Sequence, residues 1–152
     1  LQGLKVLEMP AIGPSPFCGM LLADLGADVL RLDRTGESNL GLKVDPRYDL
    51  PARGKRSLAL DLKLPESREL VLSVLEVADI VIEGFRPGTM ERLGFGPDVA
   101  LQRNPRLIYA VGTGYGLTGP YAHKGGQDVL AQAMSGVMYR RSDESLPLAC
   151  AT

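Results

Sequence analysis

The chain has 152 residues, the length of one ordinary domain and enough to bury a core. Its 17 Lys and Arg against 18 Asp and Glu leave a net charge of −1, so the composition favours neither nucleic acid nor a lipid surface as a partner. With one His and two distant Cys, Cys18 and Cys150, we expect no metal centre and no disulfide framework, and a cytoplasmic location. Its apolar runs are too short to span a membrane.

Short β-rich runs alternate with helical runs along the first half of the chain. Strands are predicted over residues 4–9, 28–33 and 57–62. Helices are predicted over residues 16–25, with Cys18 as a core residue, and over residues 65–78. The inner face of the second helix is expected to hold Leu70, Val71, Val74, Leu75 and Ala78. Residues 35–56 have no clear period and predict an exposed loop, which at this length is typically functional.

The second half continues the alternation. Strands are predicted over residues 79–82 and 107–111, and short helical segments over residues 87–93 and 96–104. The last helix is predicted over residues 127–138, with an inward apolar stripe of Val129, Leu130, Ala133, Met134 and Val137. Strands that alternate with helices predict an α/β fold with an open, mostly parallel, Rossmann-like sheet flanked by helices. In such sheets the ligand lies at the carboxyl ends of the strands.

Two glycine-containing loops are candidates for a dinucleotide site, and neither has the full pattern. The turn over residues 11–16 has one Gly and two Pro, which lack N–H donors. Residues 114–119 match Gly-x-Gly-x-x-Gly, but Pro120 follows at once and no acidic residue stands about 20 positions further on. We therefore interpret the second loop as a flexible active-site or structural loop rather than a nicotinamide cofactor site.

Basic residues gather near the predicted strand ends and loops. Each alone is typical of a solvated surface charge, but together they suit an anionic ligand with several phosphates: Arg31, Arg34, Arg53, Lys55, Arg56, Arg86 and Arg92. Asp128 is either a catalytic carboxylate or a first-turn acid that complements the helix dipole, and His123 is expected to face solvent. The residues by themselves predict an α/β domain for a phosphate-rich small molecule and indicate no reaction.

Five segments carry a family resemblance, in order and over essentially the whole chain: residues 26–34, 53–63, 83–94, 104–109 and 114–122. They resemble the family III CoA-transferases of the CaiB/BaiF type, which include the α-methylacyl-CoA racemases. The resemblance implies that residues 1–152 are the N-terminal CoA-binding α/β domain, an incomplete large domain cut at its C-terminus. The small domain and a C-terminal return segment would be absent, and the full-length protein would be an interlocked homodimer.

The same resemblance implies CoA or acyl-CoA as substrate, a carboxylic acid as its partner and no tightly bound cofactor. Nine residues match the family's CoA site. Arg34 and Arg92 would contact phosphates, Arg34 at the adenosine end. The others would line the adenine region, the length of the ligand and the thioester, in that order: Leu60 and Lys63; Gly84 and Phe85; Ile12, Gly13 and Pro14.

Three readings of the function remain open. The first is an acyl-CoA:carboxylate CoA-transferase, whose aspartate nucleophile would lie beyond Thr152. The second is an α-methylacyl-CoA racemase; that branch has His where this chain has Gln127, beside Asp128, although the first turn is slightly closer to racemases. An amide cannot exchange protons near neutral pH as imidazole does, which favours the transferase. The third is a non-catalytic CoA-binding fragment, and the 152 residues alone are expected to be inactive.

Overall fold

Five short strands form one parallel sheet in the structure, a computed structural model that describes residues 1–36 and 45–138. They are β1 (Lys5–Glu8), β2 (Asp28–Asp33), β3 (Arg56–Ala59), β4 (Ile80–Glu83) and β5 (Ile108–Val111). The spatial order is β3-β2-β1-β4-β5, and every neighbouring pair is parallel. The predicted open parallel α/β sheet is confirmed.

The direction in which successive strands are added to the sheet reverses at the central strand β1. Val6 lies in register with Val29 of β2 on one side and with Ile80 of β4 on the other. The chain first winds outward to β3, then crosses back to place β4 and β5 on the opposite side. Loops that leave the carboxyl ends of β1 and β4 therefore diverge and open a crevice, which is where ligands bind in sheets of this type.

Four helices follow the strands of this sheet: α1 (Pro14–Asp24), α2 (Pro65–Val77), α3 (Thr89–Leu93) and α4 (Pro97–Arg103). Three of them, α1, α2 and α4, begin with proline, whose fixed φ suits the first helical turn and whose missing N–H has no partner there anyway. For this reason α1 begins at Pro14, two residues before the predicted start at Pro16.

The sheet separates two apolar clusters because side chains alternate along each strand. On one face Leu7, Leu32 and Val81 pack with Leu72 and Leu75 of α2. The opposite face carries a smaller cluster, with α1 as its partner: Val6, Val29 and Ile82 with Leu22 and Ala23. Helices therefore cover both faces of the sheet, and the carboxyl ends of its strands stay open.

In α1 and α2, two predicted core positions are wrong. Leu70 is 44% exposed while Leu72 is buried, because the buried face of α2 is centred one residue later than the predicted stripe. Cys18 is exposed, since Gly19 and Met20 face the sheet instead. Apolar residues occur all around α1, so its periodicity does not define an inner face.

The third strand and the preceding loop also differ from the prediction. β3 ends at Ala59 rather than at residue 62, because Asp61 begins a turn in which it accepts hydrogen bonds from the backbone N–H groups of Lys63 and Leu64. The predicted loop contains two short 3-10 turns, Pro46–Tyr48 and Leu50–Ala52, while its residues 37–44 lie outside the described residues.

The chain divides into two compact units, Leu1–Gly112 and Thr113–Thr152. In the second, α5 (Asp128–Ser135) ends before its predicted limit at residue 138 because Gly136 adopts a left-handed conformation. The stripe predicted to face inward is exposed, and the described part of this unit contains no strand for it to pack on: Val129, Leu130, Ala133, Met134 and Val137. Over residues 1–36 and 45–138, no helix is long and apolar enough to cross a bilayer.

Candidate ligand-binding cleft

A cleft of about 770 Å³ opens at the carboxyl edge of the sheet. Its floor is formed where β1 and β4 end, at Glu8 and Gly84, and one wall is the loop that leads from β1 into α1. The other wall is formed by the end of β2 together with Tyr48, the last residue of the first 3-10 turn, and Asp49, which follows it. The cleft thus lies at the point where the strand order reverses, as the topology requires.

The structure brings five of the nine predicted CoA-site residues together in this cleft: Ile12, Gly13, Arg34, Gly84 and Phe85. Pro14 follows directly as the first residue of α1. Three others do not line the cleft: Leu60, Lys63 and Arg92. Leu60 packs against the larger apolar cluster, and the Arg92 guanidinium donates a 2.8 Å hydrogen bond to the Thr89 hydroxyl.

The first turn of α1 offers few backbone donors to an anion. Gly13 has φ 74°, a conformation that favours glycine, and Pro14 and Pro16 carry no N–H. The N–H of Phe17 donates to the Gly13 carbonyl at 3.2 Å. A phosphate in this cleft must therefore be held mainly by side-chain cations rather than by a glycine-rich backbone cradle.

Close packing explains why glycine follows β4. A Cβ atom at Gly84 would lie 2.6 Å from the Ser15 hydroxyl oxygen, and one at Gly112 would lie 3.1 Å from the same atom. Ser15, in the first turn of α1, is buried. The absence of side chains after β4 and β5 therefore lets the start of α1 approach the strand ends and sets the width of the cleft.

Glu83 fixes the turn that carries Gly84 and Phe85. Its carboxylate is buried and accepts a 2.7 Å hydrogen bond from the Phe85 N–H. Burial raises the pKa of Glu83, and this hydrogen bond partly opposes that effect. The bond orients the backbone that forms the floor of the cleft.

A buried ion pair lies beneath the cleft. The Lys55 ammonium and the Glu8 carboxylate are 2.6 Å apart, and each side chain is 1% exposed. Lys55 also donates to the Pro16 carbonyl at 2.8 Å, so it joins β1, α1 and the segment before β3. Burial raises the pKa of Glu8, with the hydrogen bond and charge of Lys55 opposing it. A methyl group at Gly19 would overlap the Glu8 carboxylate, so the pair requires glycine there.

Arg31 connects two acidic residues on one wall of the cleft. Its Nε lies 3.0 Å from an Asp33 carboxylate oxygen, and its Nη1 lies 3.1 Å from an Asp49 oxygen. Asp33 ends β2, while Asp49 precedes the second 3-10 turn, so the guanidinium ties that segment to the sheet. All three residues line the cleft.

Ion pairs account for most of the basic cluster seen in the sequence. Besides Arg31 and Lys55, Arg53 binds Asp24 with a 3.0 Å hydrogen bond and Arg56 binds Asp28 at 2.6 Å. Arg34 is exposed, lines the cleft and has no carboxylate partner within the described residues. Of the two arginines in the described lining of the cleft, Arg34 is therefore the one whose charge is not used by an ion pair.

Sequence reasoning missed the polar residues that shape the cleft: Glu8, Asp33, Asp49 and Glu83. Their partners are distant in the chain, with Glu8 and Lys55 separated by 47 positions and Arg31 and Asp49 by 18. The one usable signal is that Glu8 and Glu83 are acids at the ends of otherwise apolar strands.

The two predicted active-site neighbours lie in the second unit. Gln127 precedes α5, and Asp128 is its first residue, where its carboxylate accepts a 2.5 Å hydrogen bond from the Gln132 amide. His123 is exposed, as expected. Among residues 1–36 and 45–138, no group of three or more His, Cys, Asp or Glu is placed to hold a metal ion.

Fold and cleft together define an α/β domain with a parallel sheet and an open cleft at the topological switch point. The sequence profile described as CoA-transferase family III matches residues 1–150, and the chain belongs to that family. It is 42% identical over 149 residues to α-methylacyl-CoA racemase from Homo sapiens, covering 95% of this chain and 37% of the racemase. It is 38% identical over 144 residues to acetyl-CoA:oxalate CoA-transferase from Acetobacter aceti, covering 90% of this chain and 37% of that enzyme.

A solved structure agrees with this assignment. The crystal structure of a CAIB/BAIF family protein from Brucella suis superposes with a TM-score of 0.85 at 34% identity, covering 99% of this chain and 43% of that protein. The chain therefore spans well under half the length of the relatives it matches. The matched part includes the whole sheet and the cleft.

Proposed function

We propose that this chain forms the CoA-binding part of an acyl-CoA:carboxylate CoA-transferase. The observation that carries the proposal is the cleft at the strand switch point of a family III chain, where one exposed guanidinium, Arg34, keeps its charge available. A guanidinium binds phosphate oxygens in a bidentate manner, which suits the phosphates of CoA.

The cleft residues divide the binding work among themselves. Arg34 would hold phosphate at the adenosine end, and the floor at Gly84 and Phe85 would support the extended part of the ligand. The turn over residues 12–14 would face the thioester. Leu60, Lys63 and Arg92 stay in the proposal as outer contacts, because they do not line the cleft itself.

The proposed transfer uses an aspartate beyond Thr152. Its carboxylate attacks the donor thioester carbonyl, the C–S bond breaks, and CoA thiolate leaves a mixed anhydride behind. The thiolate then attacks the aspartyl carbonyl, releases the donor acid and forms aspartyl-CoA. The acceptor carboxylate then attacks aspartyl-CoA, which releases CoA thiolate and leaves a second mixed anhydride. The thiolate attacks the acceptor carbonyl of this anhydride, which forms the new thioester and frees the aspartate. Covalent catalysis divides the exchange into easier steps and conserves the thioester bond.

We extend the proposal to the whole protein on the same grounds. The described sheet would be part of a larger N-terminal domain of a longer, cytoplasmic chain that acts as a homodimer. CoA thioesters would enter as substrates, and no tightly bound cofactor would be needed.

The racemase is the second candidate, favoured by the 42% identity to the human racemase. That reaction exchanges the proton at the α-carbon between two groups of the protein. Gln127 occupies the position where the resemblance places one of these groups, and its amide cannot take part near neutral pH. This substitution is the reason that we rank the transferase first.

Two assays on the intact protein separate these functions. A transferase moves CoA from a labelled acyl-CoA to a free carboxylic acid and becomes covalently linked to CoA during turnover. A racemase instead washes deuterium from solvent into the α-position of a 2-methylacyl-CoA. Deuterium incorporation without CoA transfer would overturn the proposal in favour of the racemase, and CoA binding without either reaction would leave only a binding protein.

A further inference from the structure

The cleft has acidic side chains in its lining, and their negative charges oppose the binding of an anionic ligand. Among the described residues that line it, the acidic ones are Glu8, Asp33 and Asp49, and the basic ones are Arg31 and Arg34. A cleft with this lining would repel phosphates unless its carboxylates were neutralised. Glu8 is neutralised from below by Lys55, which leaves Asp33 and Asp49.

Arg31 is the residue placed to pair with both, and its single positive charge cancels one of the two negative charges. Its side chain is 23% exposed and each aspartate 37%, so the three charges lie at the surface of the cleft rather than in bulk solvent. Nε faces Asp33 and Nη1 faces Asp49, so the guanidinium uses opposite sides for the two carboxylates. Burial lowers the pKa of Arg31, but both aspartates oppose this and the net direction is upward, so the group stays charged.

We infer that Arg31 is a specificity-determining residue that makes the cleft accept a polyanion. It does so by pairing with both Asp33 and Asp49, which cancels one of their two negative charges. Together with Arg34, and with Lys55 beneath Glu8, it leaves the described lining without net negative charge. This inference rests on the proposed CoA-binding function. Arg31 itself does not need to touch the ligand.

Removal of Arg31 alone should leave two uncompensated carboxylates in the cleft. Arg31→Gln should then weaken the binding of 3′,5′-ADP, an anionic piece of CoA, by about tenfold, because two negative charges act through a partly shielded medium. The loss should shrink as salt is raised, since added ions screen exposed charges. The affinity for uncharged adenosine should change little.

The deciding variant removes all three charges at once. Asp33→Asn and Asp49→Asn combined with Arg31→Gln eliminate the two carboxylates that Arg31 pairs with and leave Arg34 in place. The 3′,5′-ADP affinity should therefore return at least to the wild-type value. Arg56→Gln is the matched control, since Arg56 is also paired with an aspartate but lies at the amino edge of the sheet. It should bind 3′,5′-ADP like the wild type.

Calorimetry of these variants in the intact protein, at two salt concentrations, tests the inference. Weak binding by Arg31→Gln that the triple variant restores supports it. Equal affinities for Arg31→Gln and Arg56→Gln, or a triple variant as weak as Arg31→Gln, would overturn it while wild-type binding still upholds the CoA site. A wild-type protein that binds neither CoA nor 3′,5′-ADP overturns the proposed function and this inference together.

Discussion

Arg34 and Glu83 represent two ways in which one residue determines the cleft. Arg34 is exposed at the end of β2 and has no carboxylate partner in the described part of the chain, so its charge is free for a ligand. Glu83 is buried and acts on the backbone, through its hydrogen bond with the Phe85 N–H. Arg34 thus presents a charge to the cleft, and Glu83 shapes the floor of the cleft.

Replacement of Arg34 should weaken ligand binding directly. Arg34→Gln is expected to lower CoA affinity by roughly tenfold to a hundredfold, since a hydrogen bond to a charged group contributes about 1.5–3 kcal/mol. Calorimetry of the intact protein measures the change. Arg106→Gln, an exposed arginine before β5, is the control and should bind CoA normally. Equal losses in both variants would show that Arg34 has no special role.

The raised pKa of Glu83 predicts how stability changes with pH. Because burial raises the folded-state pKa above the usual 4.5, the unfolded carboxyl releases its proton first as the pH rises. The contribution of Glu83 to the free energy of unfolding is therefore fully present below pH 4.5. It is lost as the pH rises through the raised pKa of the folded state. Glu83→Gln removes this loss, and its amide oxygen can still accept the Phe85 N–H.

Chemical unfolding between pH 4.5 and pH 8 tests this expectation. The free energy of unfolding of Glu83→Gln should decline less with rising pH than that of the wild type. Glu66→Gln, at an exposed position in the first turn of α2, reports the effect of removing a surface carboxylate. A Glu83→Gln curve parallel to the wild type would show that Glu83 does not titrate differently on folding.

Ion pairs hold the segment before β3 against the sheet and α1. Asp49 binds Arg31, Arg53 binds Asp24 and Lys55 binds Glu8. Of these pairs only that of Lys55 and Glu8 is fully buried. Breaking a buried pair costs more stability than breaking an exposed one, because it leaves a buried charge without a partner. The position of this segment determines the position of Tyr48 and Asp49 in the cleft wall.

Loss of the buried lysine should be costly. Lys55→Met leaves the Glu8 carboxylate buried without its partner and is expected to destabilise the protein by about 3–5 kcal/mol. Glu8→Leu combined with Lys55→Met removes both charges and should recover most of that loss. The midpoint of urea unfolding measures both variants.

The exposed pair of Arg56 and Asp28 provides the comparison. Arg56→Met should cost about 0–1 kcal/mol, because exposed ion pairs are weak. If Lys55→Met unfolds at the same urea concentration as Arg56→Met, the buried pair does not hold this segment.

The elements themselves were accessible from the sequence to different degrees. Alternating β-rich and helical runs predict the five strands and the parallel sheet, because hydrophobic periodicity and turn residues are local signals. The inner face of α1 could not be predicted, because the helix has apolar residues on all of its sides. Cys18 was therefore assigned to the core although it is exposed. The stripe on α5 is apolar without being covered, because periodicity detects an apolar face and not its partner.

The site was predictable only where it is local. Arg34, Gly84 and Phe85 follow strand ends directly, so the resemblance and the fold rule both place them in the cleft. The pairing of Glu8 with Lys55 depends on the fold, which brings together positions 47 apart in the chain. Such pairings decide which basic residues stay available to a ligand, and no local pattern contains that information.

At the scale of the whole sheet, these parts form one open cleft. A parallel sheet with helices on both faces leaves the ends of its strands uncovered, and the reversal of strand order between β1 and β4 opens the carboxyl end. The opposite edge holds a smaller apolar cavity of about 230 Å³, rimmed by Lys5, Asp28 and Arg56. Two of these charges, those of Arg56 and Asp28, form an ion pair.

The central claim is that CoA binds in this cleft, and amide hydrogen exchange of the intact protein with and without CoA tests it most directly. On addition of CoA, amide exchange should become slower over residues 11–15, 33–36, 47–50 and 84–86. Exchange around Arg56 and Val77, at the amino edge, should stay unchanged. Protection at the amino edge with none in the cleft would contradict the claim.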